Sequence, residues 1–110
     1  MIVSELIQQL QPEVLSEGDT QAQISGGYTG DLLSWVMGCV EPGAVWVTIM
    51  TNANVVAVAL LREVSAVILA EDAQIDDAVI QKAQQEHITL LRSPLPAFAL
   101  CAKIDTLLHG

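Results

Sequence analysis

The chain has 110 residues, which is the size of one domain, and 52% of them are apolar but only 4% aromatic. Such a composition predicts a core of Val, Ile, Leu and Ala, which is typical of a largely parallel sheet covered by helices. The net charge is −9 with four scattered basic residues, which excludes the basic face that nucleic acid or an anionic membrane requires.

The N-terminal third predicts short, irregular elements. Ser4 is expected to cap a first helix, whose apolar residues between Val3 and Leu10 recur at helical spacing, and Pro12 ends it. The next elements are a strand over 13–16, a turn over 17–19 and a half-exposed strand over 21–25. Because polar residues follow Met1–Val3 at once, we expect no signal peptide and a cytoplasmic protein.

A glycine-rich loop is predicted over Gly26–Asp31. Either Thr29 or Asp31 can cap the helix that follows, which covers 32–37 and which Gly38 can stop. A turn at 41–43 precedes the more regular part of the chain.

From residue 45 onward, strands and helices alternate. Buried strands are predicted over 45–50, 66–70 and 88–91, and helices begin at the caps Asn52, Asp76 and Ser93, the last with Pro94 as its first residue. This alternation predicts a parallel sheet with right-handed crossovers. The fold class is therefore α/β, a small three-layer Rossmann-like domain over residues 1–110, with a mainly parallel sheet and helices on both faces.

The helix predicted over 52–63 contains seven apolar residues in succession, from Val55 to Leu61. A helix that is apolar around its whole circumference must be covered on every side. In so small a domain this is most easily met at a subunit interface, so we expect a homodimer. The low share of charged residues, 15%, also favours a second subunit that covers part of the apolar surface.

In an open α/β sheet, ligands usually bind beyond the carboxyl ends of the strands. The first candidate binding residues there are those of the glycine-rich loop: Gly26, Gly27, Tyr28, Thr29 and Asp31. Glycines permit close backbone approach, and amides at a helix start can hold a phosphate. The spacing matches neither GxGxxG nor a Walker P-loop, and the alternative is a tight turn from strand to helix.

Thr51, Asn52 and Asn54 form the second candidate, a surface of neutral hydrogen-bonding groups after a buried strand. The alternative is plain helix capping by Asn52. Glu71 and Asp72 follow the next strand and would repel a phosphate unless a metal bridged them; otherwise they form a solvated acidic turn.

The sequence predicts no catalytic residue, no metal site and no cofactor. His87 and His109 lie at helix or chain ends, where a base for a nucleophile is not expected. Cys39 and Cys101 lack paired ligand spacing and are expected to be buried small side chains without a disulfide. Trp35 and Trp46 are expected in the core or at a dimer interface.

Two segments carry a resemblance to a known family: GGYTGDLLSWVM at 26–37 and VTIMTNANVVAVA at 47–59. They resemble the small stand-alone DRTGG-domain proteins of bacteria, which are similar to the N-terminal domain of HPr kinase/phosphorylase. The resemblance implies a Rossmann-like fold and a dimer. It carries over no catalytic residue, since the kinase half and its P-loop are missing, and Glu71-Asp72-Ala73 stands where the naming motif would fall.

Two hypotheses of function follow. The first is a non-catalytic ligand-sensing or regulatory module that binds a small metabolite or nucleotide at the carboxyl edge of the sheet. The second is an accessory subunit of a redox enzyme, because the resemblance extends to short proteins found beside iron hydrogenase subunits.

Overall fold

The computed structural model describes residues 1–110, which form five strands and five helices. The strands are β1 (Glu13–Ser16), β2 (Gly26–Thr29), β3 (Ala44–Thr48), β4 (Ala66–Leu69) and β5 (Leu90–Arg92). They form one sheet in the order β1-β5-β4-β3-β2. Strands β2 to β5 are parallel and β1 is antiparallel to β5, which confirms the mainly parallel sheet.

Helices cover both faces of this sheet. They are α1 (Val3–Leu10), α2 (Leu33–Cys39), α3 (Asn54–Leu61), α4 (Asp77–Gln85) and α5 (Ala97–His109). One apolar cluster joins buried residues of α2, α3 and α4 to Trp46 and Val67, and a second joins α1 and α5 to Val45 and Ile68. The three-layer α/β class is thus confirmed.

Strands β3 and β4 are buried along their whole length, as their unbroken apolar sequences predicted. Because side chains alternate along a strand, Trp46 contributes to one cluster while Val45 and Val47 contribute to the other. Trp46 is fully buried, and its indole Nε1 donates to the carbonyl of Gly30 at 3.0 Å. This bond anchors the end of β2 to the centre of the sheet.

The glycine-rich loop was predicted wrongly for most of its length, because Gly26–Thr29 is strand β2. It pairs in parallel with β3, with Gly26 opposite Ala44 and Thr29 opposite Val47. The half-exposed strand predicted over 21–25 is also wrong, and Gln23 makes only an isolated bridge with Ile2. The backbone pairing offered by the buried β3 outweighs the weak strand preference of glycine.

Several predicted helix starts are wrong as well. Helix α2 starts after Leu32 with no side-chain cap, and it runs past Gly38 to Cys39. Helix α5 begins at Ala97 after Pro96, because the Ser93 hydroxyl instead accepts a bond from the amide of Leu95 and forms a turn.

The remaining predicted caps differ in a similar way. Helix α1 starts after Ile2, so Ser4 lies inside it. Helix α3 starts after Ala53, and the side chain of Asn52 accepts only the amide of Asn54. Asp76 does lie at the N-cap position of α4, but its side chain makes no capping bond.

Helix α3 is covered on one side only. Its buried residues face the sheet, whereas Leu60 is 45% and Leu61 is 69% exposed. The uncovered apolar side that the sequence predicted is therefore present. None of the five helices combines the length and the apolar character that a membrane crossing requires.

Candidate functional site

The carboxyl ends of the four parallel strands gather at one edge of the sheet, as predicted. There, the carboxylate of Asp31 accepts the Thr48 hydroxyl at 2.7 Å and the amide of Ile49 at 3.0 Å. These two bonds fix the segment after β2 against the segment after β3. Asp31 therefore lies at the carboxyl edge, beside the start of the segment that holds Thr51, Asn52 and Asn54.

The Asn52 side chain forms a hydrogen bond only within its own segment. Its Oδ1 accepts the amide of Asn54 at 2.9 Å, which is a short turn rather than a contact with another element. Asn52 and Asn54 are exposed and Thr51 is half-buried. This segment leaves polar groups at the surface but encloses no cavity.

The loop after β4 holds Glu71 and Asp72 in the left-handed region, with φ of 57° and 52°. Their amides donate to the carbonyls of Leu95 and Ser93, so the loop is tied to the segment after β5. Non-glycine residues in this region carry backbone strain, and the surrounding bonds hold it in place.

Arg92 is the one cation at the carboxyl edge, and acidic partners already surround it. Its guanidinium contacts Glu13 at 2.7 Å and Asp72 at 3.4 Å, and the Arg92 side chain is only 14% exposed. The loops at this edge contain no other Lys or Arg. The edge therefore offers no free positive charge to a phosphate.

The strand order also differs from the doubly wound pattern. Strands β2 to β5 follow one another without a reversal, so the parallel part of the sheet has no switch point. Such a point is where crevices open in doubly wound folds. This explains why neither of the two cavities in the molecule lies among the carboxyl-edge loops.

The first cavity, of about 220 Å³, lies between β2, β3 and α5. Its lining consists of Gly27, Tyr28, Thr29, Val45, Val47, Cys101, Ile104, Asp105, Leu108 and His109. A second space, of about 250 Å³, adjoins it near the start of β2 and shares Leu108 and His109. Together they form a groove along the outermost strand.

The missing side chain of Gly27 helps to create this groove. A Cβ at Gly27 would meet only the carbonyl of Val45, at 3.9 Å, and one at Gly26 would meet nothing within 4 Å. Neither glycine has a positive φ. The fold itself thus does not require glycine at these two positions, and glycine within a strand often marks close approach by a ligand or another backbone.

Sequence reasoning missed the helical wall of the cavity. Cys101, Asp105 and His109 recur every four residues and so lie on one side of α5. His109 Nδ1 lies 2.9 Å from Asp105 Oδ1. The four-residue spacing was visible in the sequence, but nothing there showed that this side of the helix faces Gly27 and Thr29.

Tyr28 borders the cavity, but its side chain also packs on the face of the sheet that holds α2. Partial burial raises the pKa of its phenol above the ordinary value, and the neighbouring Cys39 side chain raises it further through an electrostatic interaction and a hydrogen bond. Tyr28 also covers Gly30, where an added Cβ would lie 3.1 Å from the ring. The phenol therefore stays neutral at physiological pH.

The two thiols are free and lie in helices on opposite faces of the sheet. Cys39 is exposed, which corrects the expectation of two buried cysteines, and Cys101 is half-buried. Nowhere do three or more His, Cys, Asp or Glu side chains come together in a way that could hold a metal ion.

The eight predicted binding residues therefore separate into two places. Those of β2, Gly26–Thr29, lie along the groove beside α5. Asp31, Thr51, Asn52 and Asn54 lie at or beyond the carboxyl ends of β2 and β3. The two groups are separate because Gly26–Thr29 form an extended strand along the sheet, and not a compact loop at its carboxyl edge.

The fold is that of a small α/β domain with a five-stranded, mainly parallel sheet, and comparison with known proteins gives its family. A family model described as "DRTGG domain" matches residues 5–107, so the chain belongs to the DRTGG domain family. Among curated proteins, none matches the chain.

A similar solved structure is described as "Crystal structure of the CBS and DRTGG domains of the regulatory region of Clostridium perfringens pyrophosphatase complexed with activator, diadenosine tetraphosphate". The TM-score is 0.70 at 13% sequence identity, with 93% of this chain covered. The match covers 44% of that chain, so this protein spans less than half of its length. The likeness establishes the fold.

Proposed function

We propose that the protein is a non-catalytic regulatory module that senses a small metabolite or nucleotide. Membership of the DRTGG family supports this, as does the place of a DRTGG domain in the regulatory region of the clostridial pyrophosphatase, which was solved with a nucleotide activator. The similarity to the N-terminal domain of HPr kinase/phosphorylase is part of the same proposal.

The groove beside β2 is the observation that carries the proposal. Its first cavity is concave, has mostly apolar walls and includes a few polar side chains, which is the usual form of a small-molecule site. Gly26, Gly27, Tyr28 and Thr29 would contribute to it directly. The carboxyl edge, with Asp31, Thr51, Asn52 and Asn54, is the alternative location for the ligand.

Charge bears on what kind of ligand is sensed. The net charge is −9, and the one cation at the carboxyl edge is held by Glu13 and Asp72. A polyphosphate would bind there only with a divalent cation to bridge it to the carboxylates. Uncharged or cationic ligands need no such bridge.

Thermal unfolding across a panel of ligands tests the proposal. Nucleotides with and without Mg²⁺, nucleosides, bases and central metabolites are added singly, and the melting temperature is measured. A ligand at 100 times its Kd is expected to raise the unfolding free energy by about 2.7 kcal/mol. A melting temperature that no member of the panel raises would contradict the proposal.

A second function, as an interaction subunit, is supported by an exposed apolar surface on α2 and α3. This α2–α3 patch consists of Leu32, Trp35, Met37, Leu60 and Leu61. Exposed apolar side chains on two helices that pack against each other are typical of a protein interface. We propose a second copy of the chain as its occupant, in a homodimer. In the alternative, the patch and the acidic surface dock an iron-hydrogenase-type redox enzyme, which purification from the native host would recover as a stable complex.

A further inference from the structure

We propose that the 220 Å³ cavity between β2 and α5 takes a flat molecule of one or two fused rings that carries an amino group and no phosphate. The inference rests on the proposed function and assigns its ligand to the groove rather than to the carboxyl edge. Size, wall chemistry, polar groups and charge each narrow the class of ligand.

Size and wall chemistry come first. An apolar cavity of about 150 Å³ holds one benzene ring, so 220 Å³ has room for a bicyclic ring but not for a whole dinucleotide. Val45 and Val47 form the sheet side of the cavity, and Ile104 and Leu108 form the helix side. Apolar side chains on two opposite sides suit the two faces of a flat ring.

The polar groups at the cavity are mainly hydrogen-bond acceptors. Thr29 already donates its hydroxyl hydrogen to the carbonyl of Val47 at 3.0 Å, so its oxygen is left to accept. The Asp105 carboxylate accepts only, and it faces one partner, His109. A ligand that fits must therefore bring N–H donors, as an amino group does.

Charge disfavours a phosphate at the same place. No Lys or Arg lines the cavity, whereas Asp105 does. The cavity also lies beside the last turn of α5, where the helix dipole favours positive charge and N–H groups over anions. An amino-substituted ring is thus preferred to the corresponding nucleotide.

Gly27 permits a direct steric test. Valine at this position would add two methyl groups on the cavity side of β2, while its Cβ meets only one carbonyl at ordinary contact distance. The strand should tolerate the change, because β-branched residues favour strands. Gly38 in α2 also has open space at its Cβ and lies on the other face of the sheet, so Gly38→Val is the matched control.

The experiment is a titration of the ¹⁵N-labelled full chain, followed by amide chemical shifts, with adenine, purine and AMP as probes. Adenine carries the amino group, purine lacks it and AMP adds a phosphate. We expect saturable shifts with adenine at Gly27, Thr29 and Leu108, and affinities for purine and AMP that are weaker by on the order of tenfold. Gly27→Val should weaken adenine binding by about tenfold or more, and Gly38→Val should leave it unchanged.

The outcomes separate this inference from the proposed function. Adenine that causes no saturable shift in the groove, or that binds Gly27→Val as well as the unaltered chain, overturns the inference. If another ligand of the thermal panel still stabilises the protein, the proposed function stands, and the amide shifts that this ligand causes decide between the groove and the carboxyl edge. If no compound of the thermal panel raises the melting temperature and no probe of the titration causes saturable shifts, both proposals fail.

Discussion

Thr48 donates its hydroxyl hydrogen to the carboxylate of Asp31 at 2.7 Å, and this bond joins the carboxyl end of β3 to the segment that follows the neighbouring strand β2. Thr48 is buried, with 1% of its surface exposed, and its oxygen also accepts the amide of Met50. Asp31 additionally accepts the amide of Ile49. One carboxylate thus satisfies two donors at the edge of the sheet.

Replacing this carboxylate should destabilise the fold. Asp31→Ala leaves a buried hydroxyl and an amide without their acceptor, and we expect the unfolding free energy to fall by about 1–3 kcal/mol. Urea denaturation measures it. Asp76→Ala is the control, since the Asp76 side chain makes no capping bond. A cycle with Thr48→Val that shows no coupling would contradict the interpretation.

The sequence was most informative where burial decides the structure. Strands β3 and β4 were predicted from continuous apolar residues, because a strand tolerates them only when both of its faces are buried. Strand β2 could not be predicted in this way, since Gly-Gly-Tyr-Thr has little strand preference and gains its conformation from pairing with β3. Ser93-Pro94 and Pro96-Ala97 are two similar helix starts, and local residues do not decide between them.

The Arg92–Glu13 ion pair should contribute measurably because its geometry is specific. Both Nε and a terminal nitrogen of Arg92 contact the same Glu13 oxygen, at 3.1 and 2.7 Å, and this links β5 to the antiparallel β1. Lysine cannot reproduce this fork, so Arg92→Lys is expected to lower the unfolding free energy by about 1 kcal/mol. In a Glu13→Gln background, Arg92→Lys should lower the unfolding free energy by clearly less. An equal decrease in both backgrounds would argue against a stabilising Arg92–Glu13 ion pair.

The α2–α3 patch predicts self-association that one residue can disrupt. Leu61 is 69% exposed on α3, and Leu61→Glu places a charge within the patch. We expect the dimer dissociation constant, measured by sedimentation equilibrium, to rise by on the order of tenfold or more.

Phe98→Glu is the matched control for this change. Phe98 is 88% exposed, but it lies on α5 at the opposite face of the sheet. The control should therefore still dimerise. A monomeric unaltered chain at high concentration would rule out the proposed homodimer.

Tyr28 is the one tyrosine of the chain, so its titration can be followed by phenolate absorbance. Its raised pKa, due first to burial and then to Cys39, means that folding favours the neutral phenol. The stability that this pKa shift contributes is therefore fully present below the pKa of an unfolded tyrosine, and it is lost as the pH rises through the folded-state pKa of Tyr28.

The variant Cys39→Ala isolates the part that the thiol contributes. We expect the pKa of Tyr28 to move down toward its ordinary value but to stay above it, because burial remains. Cys101→Ala, on the opposite face, should leave the titration unchanged. A Tyr28 pKa that is the same in Cys39→Ala as in the unaltered chain would show that the thiol has no such effect.

Only one wall of the groove beside β2 could be predicted from the sequence. Gly26 to Thr29 were singled out for their small and hydroxylated side chains, and they do line the groove. Their opposite wall comes from Asp105 and His109, more than 70 residues later in the chain. Only the crossing of α5 over β2 brings these groups together, and no local pattern encodes that crossing.

The most direct test of ligand sensing is amide chemical-shift mapping of the full chain against each compound that raises its melting temperature. We expect saturable shifts concentrated in Gly27, Tyr28 and Thr29 and in the facing residues of α5, and their loss in Gly27→Val but not in Gly38→Val. Contradiction would come from a full panel of nucleotides, bases and metabolites that leaves every one of these amides unmoved.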